Sequence, residues 1–119
     1  MARILVVDDA MFMRSRLRGL LEGAGHVVTE APNGREAVER FGEEQPDLVL
    51  MDVTMPEMDG LEALKRIRAA EPTARVIMCS ALGQQSIVLE AIKAGAKDFI
   101  VKPFRPEKVL EAVGRQVSP

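Results

Sequence analysis

The sequence predicts a single α/β domain built on a doubly wound, five-stranded parallel sheet. Five short apolar runs alternate with five stretches of helical spacing, and each strand–helix unit takes up about twenty residues. The central run, residues 48–51, is apolar at every position, as is typical of a strand buried on both faces. Turn-forming residues then separate this run from the next helical stretch: Met55-Pro56 and Asp59-Gly60.

The elements follow one another in a regular order along the chain. Strands are predicted at residues 4–7, 26–30, 48–51, 75–79 and 98–101, with the second strand less buried than the others. Apolar residues three and four positions apart mark the five helices: Met13, Leu17, Leu20, Leu21 and Ala24; Ala37, Val38 and Phe41; Gly60, Ala63, Leu64 and Ile67; Val88, Ala91 and Ile92; Val109, Leu110 and Val113. Leu89 lies off the apolar face of the fourth helix. A single exposed apolar residue is common, but it can also mark a partner surface.

Composition narrows the range of functions. The 119 residues are 47% hydrophobic and 29% charged, with a net charge of −2, which gives no reason to expect nucleic acid or a membrane surface as a partner. The single cysteine, Cys79, lies in an apolar run, and we expect a buried thiol there. No stretch is long and apolar enough for a signal-peptide core or a membrane span, so we expect a cytoplasmic protein.

Polar side chains follow four of the predicted strands, at the point where each strand ends. They are Asp8 and Asp9, Asp52, Ser80 and Lys102. Each has an ordinary structural explanation, as a helix cap, a turn residue or a solvated lysine. Because the carboxyl ends of parallel strands share one edge of the sheet, however, these groups are expected to meet there.

Clustered carboxylates repel one another and need a compensating cation. An oxygen-rich site of this kind suits Mg²⁺, and the lysine and the serine hydroxyl add groups that can bind anionic oxygens. The edge therefore has the chemistry to receive a phosphoryl group on a carboxylate.

The combination of Asp8-Asp9, Asp52, Ser80 and Lys102-Pro103 resembles the receiver domain of two-component response regulators, and the resemblance covers the whole chain. It implies the flavodoxin-like strand order 2-1-3-4-5 and a single receiver domain over residues 1–119 with no effector domain. Residues 8–14, 79–85 and 95–104 are most similar to chemotaxis regulators that consist of a receiver alone, of the type found outside the enteric bacteria.

The resemblance assigns chemical roles to the carboxylates. Asp52 would be the nucleophile that takes the phosphoryl group from a histidine kinase. Asp8, Asp9 and Asp52 would bind Mg²⁺ together with the backbone carbonyl of Thr54, with Asp8 acting mainly through a bound water, and Mn²⁺ is expected to substitute. Lys102 would contact the phosphoryl oxygens.

The resemblance also assigns residues to the switch. Ser80 would bind the phosphoryl group and Phe99 would change its rotamer in response, while the bond before Pro103 is expected to be cis. Thr54 and Leu82 are expected to tune the phosphoryl lifetime. Two departures stand out: Ser80 replaces the threonine of many receivers, and Phe99 replaces a tyrosine of the enteric proteins, so no ring hydroxyl is available here.

The implied function is a phosphorylation-switched chemotaxis messenger. Its phosphodonor would be a CheA-like histidine kinase, and its output partner a flagellar switch protein that is FliM-like or FliY-like. The partner would bind the surface of the fourth helix, fifth strand and last helix. A phosphatase fits the same scheme, and a monomer is expected. We expect the protein not to be an enzyme in the usual sense, because it would catalyse only its own phosphorylation and dephosphorylation.

Three alternatives share parts of the pattern. A single-domain phosphorelay receiver would use the same pocket but pass its phosphoryl group to another histidine protein. An enzyme of the haloacid-dehalogenase type also uses a nucleophilic aspartate and Mg²⁺, but it carries a DxD-type motif at the first strand, which Asp8-Asp9-Ala10 does not match. A flavin or dinucleotide carrier is disfavoured because no G-x-G-x-x-G follows the first strand.

Overall fold

The computed structural model describes residues 1–81 and 85–117 and contains five strands and five helices that alternate along the chain. In order they are β1 (Arg3–Val7), α1 (Met11–Gly23), β2 (Val27–Ala31), α2 (Gly34–Glu44), β3 (Leu48–Asp52), α3 (Gly60–Ala70), β4 (Val76–Ala81), α4 (Gln85–Lys93), β5 (Asp98–Lys102) and α5 (Pro106–Val117). All neighbouring strands pair in parallel, in the order β2-β1-β3-β4-β5. The predicted fold class and strand order are confirmed.

Alternating side chains divide the interior into two apolar layers. In β1, Ile4 and Val6 join a core formed with α1 and α5, whereas Leu5 and Val7 join a core formed with α2, α3 and α4. This alternation follows from the two-residue period of a strand. β3 lies in the centre of the sheet and is buried at all five positions, and β2 at the edge is only partly buried, as predicted.

The sheet reverses its winding direction between β1 and β3. After β1 the chain moves outwards to β2, and it then returns to β3 on the other side of β1. The carboxyl ends of these two central strands therefore form a crevice that no crossover helix covers, which is where ligands bind in open α/β sheets.

Close backbone contacts bring the loops around this crevice together. The amide of Gly60 donates to the carbonyl of Val53 at 2.8 Å, and the amide of Gly34 donates to the carbonyl of Met58 at 3.1 Å. A Cβ atom on Gly60 would lie 2.0 Å from the carbonyl oxygen of Asp52. The start of α3 can pack against the end of β3 only because residue 60 has no side chain.

The fourth helix differs from expectation at one position. Val88 and Ala91 are buried as predicted, but Ile92, which we assigned to the apolar face, is 43% exposed. Leu89 is 63% exposed, in agreement with its position off that face. The side of α4 that faces the interior runs through Ile87, Val88 and Ala91, so Ile92 lies beyond its edge.

Two further expectations concern burial and membranes. Cys79 is fully buried, and burial raises the pKa of its thiol to about 12, so it is an inert structural residue. Within residues 1–81 and 85–117, none of the helices has both the length and the apolar character that a membrane crossing requires.

Candidate functional site at the carboxyl edge of the sheet

The polar strand ends predicted from the sequence meet at one edge of the sheet. Asp8 and Asp9 directly follow β1, and Asp52 is the last residue of β3. Ser80 lies near the end of β4, and Lys102 is the last residue of β5. Because β1, β3, β4 and β5 are consecutive neighbours in the sheet, their ends form a continuous row.

Lys102 reaches across this row to the two buried carboxylates. Its Nζ atom lies 2.8 Å from Oδ2 of Asp8 and 3.2 Å from Oδ1 of Asp52. Asp8 is 2% exposed and Asp52 is 8% exposed, so both ion pairs are largely shielded from water. A lysine side chain is long enough to extend from β5 past the end of β4, which explains how a residue two strands away contacts the centre of the site.

Burial and charge determine the protonation behaviour of the site. Burial, together with the nearby negative charge of Asp8, raises the pKa of Asp52 above its ordinary value, although Lys102 opposes this effect. Burial lowers the pKa of Lys102, but its hydrogen bond to Asp8 and the charges of Asp52 and Asp8 outweigh this effect and the pKa is raised. Lys102 therefore remains a cation over the physiological pH range.

Three carboxylates form a set of donors that fits a divalent cation. Asp8, Asp9 and Asp52 each offer one oxygen, and these oxygens lie within 4.8 Å of one another. Two oxygen ligands on opposite sides of Mg²⁺ are about 4.2 Å apart, because each bond to the metal is about 2.1 Å long. The oxygen–oxygen distances in the cluster, at most 4.8 Å, are thus close to those that a bound Mg²⁺ requires. Asp9 is exposed, so water can reach this side of the site and complete the coordination.

The structure places the remaining predicted residues around this cluster. Ser80 is buried, and the loop residue Thr54 is exposed just beyond the end of β3. Phe99 is 44% exposed, so its ring is turned outwards from β5. The peptide bond between Lys102 and Pro103 is cis. Leu82, which we assigned to lifetime tuning, lies outside the described residues.

One residue beside the site was given no role by the sequence analysis. Arg14, in the first turns of α1, donates from Nη1 to the carbonyl oxygen of Asp8 at 2.6 Å and from Nε to Glu30 at 3.0 Å. Its partners lie on β2 and at the end of β1, and only the sheet order brings them together. This contact was not predicted from the sequence, because helical spacing identifies only the apolar face of α1.

The fold and the site together define a doubly wound α/β domain with an acidic cluster able to bind a metal at the carboxyl edge of its sheet. The response regulator receiver domain family model matches residues 4–114, and the chain belongs to this family. It is similar to chemotaxis protein CheY of Thermotoga maritima, at 58% identity over 95% of each chain. It is equally similar to chemotaxis protein CheY of Bacillus subtilis, at 58% identity over 98% of each chain. The protein is therefore a CheY-like receiver domain.

Solved structures agree with this assignment. The chain superposes on the CheX-CheY-BeF3-Mg complex of Borrelia burgdorferi with a TM-score of 0.91, at 39% identity, covering 95% of this chain and 87% of that chain. It superposes on a response regulator receiver domain protein of Clostridium thermocellum with a TM-score of 0.94, at 28% identity, covering 98% and 94%. The likeness thus extends over nearly the whole fold.

Proposed function

We propose that this protein is a cytoplasmic chemotaxis response regulator that is phosphorylated on Asp52 in a Mg²⁺-dependent reaction. The observation that carries the proposal is the double ion pair of Lys102 with Asp8 and Asp52 at the shielded end of the central strand. This arrangement holds one carboxylate ready for reaction beside a fixed cation. The 58% identity to two chemotaxis CheY proteins over nearly the full chain supports the biological assignment.

The chemistry is a transfer of a phosphoryl group to a carboxylate. An oxygen of Asp52 attacks the phosphorus of a phosphohistidine, the P–N bond breaks, and the imidazole of the donor leaves. The ionised form of Asp52 is required, and Lys102 favours this form by its positive charge. Lys102 can then stabilise the negative charge that develops on the phosphoryl oxygens, because its ammonium group lies 3.2 Å from Oδ1 of Asp52.

Asp8, Asp9, Asp52 and the backbone carbonyl of Thr54 are the groups that would hold Mg²⁺. When bound, the cation supplies neutralisation of charge on the phosphoryl oxygens. The similar CheY of B. burgdorferi is in a complex with CheX, BeF3 and Mg, which supports the same ligand chemistry for this chain. Mn²⁺ prefers similar oxygen ligands and is expected to substitute. The chain would catalyse only its own phosphorylation and dephosphorylation.

The output would be a change in one surface, formed by α4, β5 and α5. Phosphorylation of Asp52 attracts the hydroxyl of Ser80, and the space that Ser80 leaves allows Phe99 to turn inwards. Phe99 lies outwards with 44% of its surface exposed, which is the position from which such a turn would start. Because the Phe99 ring has no hydroxyl, packing must carry this signal.

The partner surface has an apolar character that fits docking. Leu89 and Ile92 on α4 and Phe99 on β5 are exposed large apolar residues. We assign this surface to a flagellar switch protein of the FliM or FliY type. The phosphodonor would be a CheA-like kinase, with a phosphatase ending the signal.

The first test is intact mass after incubation with Mg²⁺ and a small phosphodonor such as acetyl phosphate. The expected result is one added phosphoryl group on the wild-type protein, and none on Asp52→Asn or in the presence of a chelator. Asp59→Asn is the matched control, because Asp59 caps α3 through the amide of Glu62 at 3.0 Å and asparagine caps equally well. No adduct together with no binding of beryllofluoride would refute the proposal.

A second test separates the messenger from a phosphorelay receiver. Binding of the flagellar switch protein that strengthens when beryllofluoride and Mg²⁺ are added would support the messenger. Transfer of the phosphoryl group to another histidine protein, with no switch-protein binding, would identify a relay intermediate instead.

A further inference from the structure

Arg14 links three elements beside the acidic cluster. Its side chain is only 14% exposed. The guanidinium donates from Nη1 to the carbonyl of Asp8 at 2.6 Å and from Nε to Oε1 of Glu30 at 3.0 Å. A single planar group thus holds the start of α1 against the end of β1 and against β2. Such a two-sided contact needs the fixed fork of arginine.

The Asp8 carbonyl controls the direction in which the chain leaves β1. Its oxygen shares a rigid peptide plane with the amide of Asp9, so fixing the oxygen also fixes the start of Asp9. The other contacts of Asp8 leave its carbonyl oxygen to Arg14: the Asp8 amide donates to Ala31 at 3.2 Å, and the carboxylate receives Lys102 and the amide of Ala10. The Ala10 contact closes a turn around the same peptide, and Arg14 holds the oxygen of that peptide from the side of α1.

We propose that Arg14 is a positioning residue for the metal site. By holding the peptide plane between Asp8 and Asp9 it sets the relative placement of two of the three carboxylates. The inference rests on the proposed Mg²⁺-dependent phosphorylation of Asp52. It adds a residue that touches neither the reacting atoms nor the carboxylate oxygens of the cluster, and that acts through the backbone.

The effect of removing Arg14 on Mg²⁺ affinity depends on whether the residue acts through its charge or by holding the backbone. Arg14 is a cation near a cation site, so if it acted by charge alone, removing it would strengthen Mg²⁺ binding. If it acts by holding Asp8 and Asp9 in place, removing it weakens Mg²⁺ binding. The sign of the change therefore distinguishes the two roles.

Arg18 provides a matched control on the same helix. It binds the other oxygen of Glu30 at 2.5 Å and takes Glu22 as its second partner, where Arg14 takes the Asp8 carbonyl. Arg18→Met removes a positive charge and one ion pair of Glu30, just as Arg14→Met does. The two variants differ in the second contact that they lose, which is the Asp8 carbonyl for Arg14→Met and the exposed Glu22 carboxylate for Arg18→Met.

The experiment is a calorimetric titration with MgCl₂ alone, at fixed ionic strength and without a phosphodonor, on wild type, Arg14→Met, Arg14→Lys and Arg18→Met. We expect Arg14→Met to weaken Mg²⁺ binding roughly tenfold, the lower end of what the loss of a supporting contact costs a metal site. Arg18→Met should stay within about twofold of wild type because it leaves the Asp8 contact intact. Arg14→Lys keeps the charge but not the fork, and it should bind Mg²⁺ more weakly than wild type.

Hydrogen exchange of the Ala10 amide, which donates to Oδ1 of Asp8 at 2.9 Å, reports on the loop directly. Its exchange should accelerate in Arg14→Met and not in Arg18→Met. Mg²⁺ binding by Arg14→Met that equals or exceeds that of wild type would overturn the positioning role. If Arg14→Met fails to fold, Arg14→Lys decides the question: wild-type affinity in that variant would overturn the inference.

If the proposed function is wrong, the wild-type protein itself shows neither Mg²⁺ binding nor phosphorylation. Wild type that binds Mg²⁺ and is phosphorylated, beside Arg14 variants with unchanged affinity, refutes the role of Arg14 alone.

Discussion

Substitution of Gly60 by alanine tests the close contact between α3 and β3, the strand that ends at Asp52. The new Cβ would lie 2.0 Å from the carbonyl oxygen and 2.9 Å from the carbonyl carbon of Asp52. Both atoms belong to the backbone of the central strand, so no side-chain rotation can relieve the overlap. The start of α3 or the end of β3 must move until the carbon–oxygen distance exceeds 3.0 Å.

The expected loss of stability is about 2 kcal/mol. Overpacking of a well-filled interior costs roughly 1–3 kcal/mol, and an overlap with two backbone atoms belongs at the upper end of that range. The better helix propensity of alanine offsets at most about 1 kcal/mol of this cost. For a domain of this size, about 2 kcal/mol corresponds to a melting temperature lowered by roughly 6–10 °C. The displacement of Asp52 should also slow phosphorylation by small phosphodonors, because reaction requires close placement of the nucleophile.

The assay is thermal and urea unfolding followed by circular dichroism, with Gly42→Ala as the control. A Cβ at Gly42, in α2, meets no heavy atom within 4 Å, so alanine there should stabilise the protein by roughly 0.5–1 kcal/mol through helix propensity alone. The same chemical change is thus expected to have opposite signs at two glycines. Equal stabilisation at both positions would refute the close packing of α3 on β3.

Three further predictions concern charge and the partner surface. Burial raises the pKa of Asp52 above its ordinary value of 3.8, so its ionised form opposes folding. Asp52→Asn should therefore stabilise the chelator-treated protein against urea at pH 7.5, where the native carboxylate is ionised. This gain in stability should disappear below pH 3.8, where the carboxyl group is protonated in both the folded and the unfolded chain. No gain at pH 7.5 would contradict the buried, negatively charged surroundings of Asp52. Lys102→Met leaves the carboxylates of Asp8 and Asp52 without their cation and should cost about 3 kcal/mol in urea unfolding without Mg²⁺. Saturating Mg²⁺ should restore most of this loss, and an unchanged deficit would argue against a shared site. Leu89→Ser should leave the free energy of unfolding within about 0.5 kcal/mol of wild type. It should weaken binding of the proposed partner, a flagellar switch protein, by about tenfold in a calorimetric assay, and unchanged binding would exclude Leu89 from the partner surface.

The architecture could be predicted from the sequence because its signals are local. Apolar runs bounded by turn residues define strands, and three-to-four spacing defines helices, so all five strands and all five helices were placed within a few residues. The polar residues that end β1, β3 and β5 could be recognised as one site because all strands of a parallel sheet end at the same edge.

Local signals failed where a contact depends on the details of packing. The apolar spacing of α4 assigned Ile92 to the apolar face, yet Ile92 is 43% exposed in the folded chain. A spacing of three or four residues identifies a helical face, but the neighbouring elements determine how wide its buried stripe is.

By itself the sequence determined the order of the elements, the burial of the central strand on both faces and the identity of the acidic cluster. The tertiary structure decided which groups touch. Lys102 contacts Asp8 across 94 positions of the chain, and Arg14 bridges Asp8 and Glu30, because the sheet order places β5 and β2 around the central strands. Contacts of this kind depend on the relative placement of whole elements, which arises only when the buried faces of all strands and helices pack together.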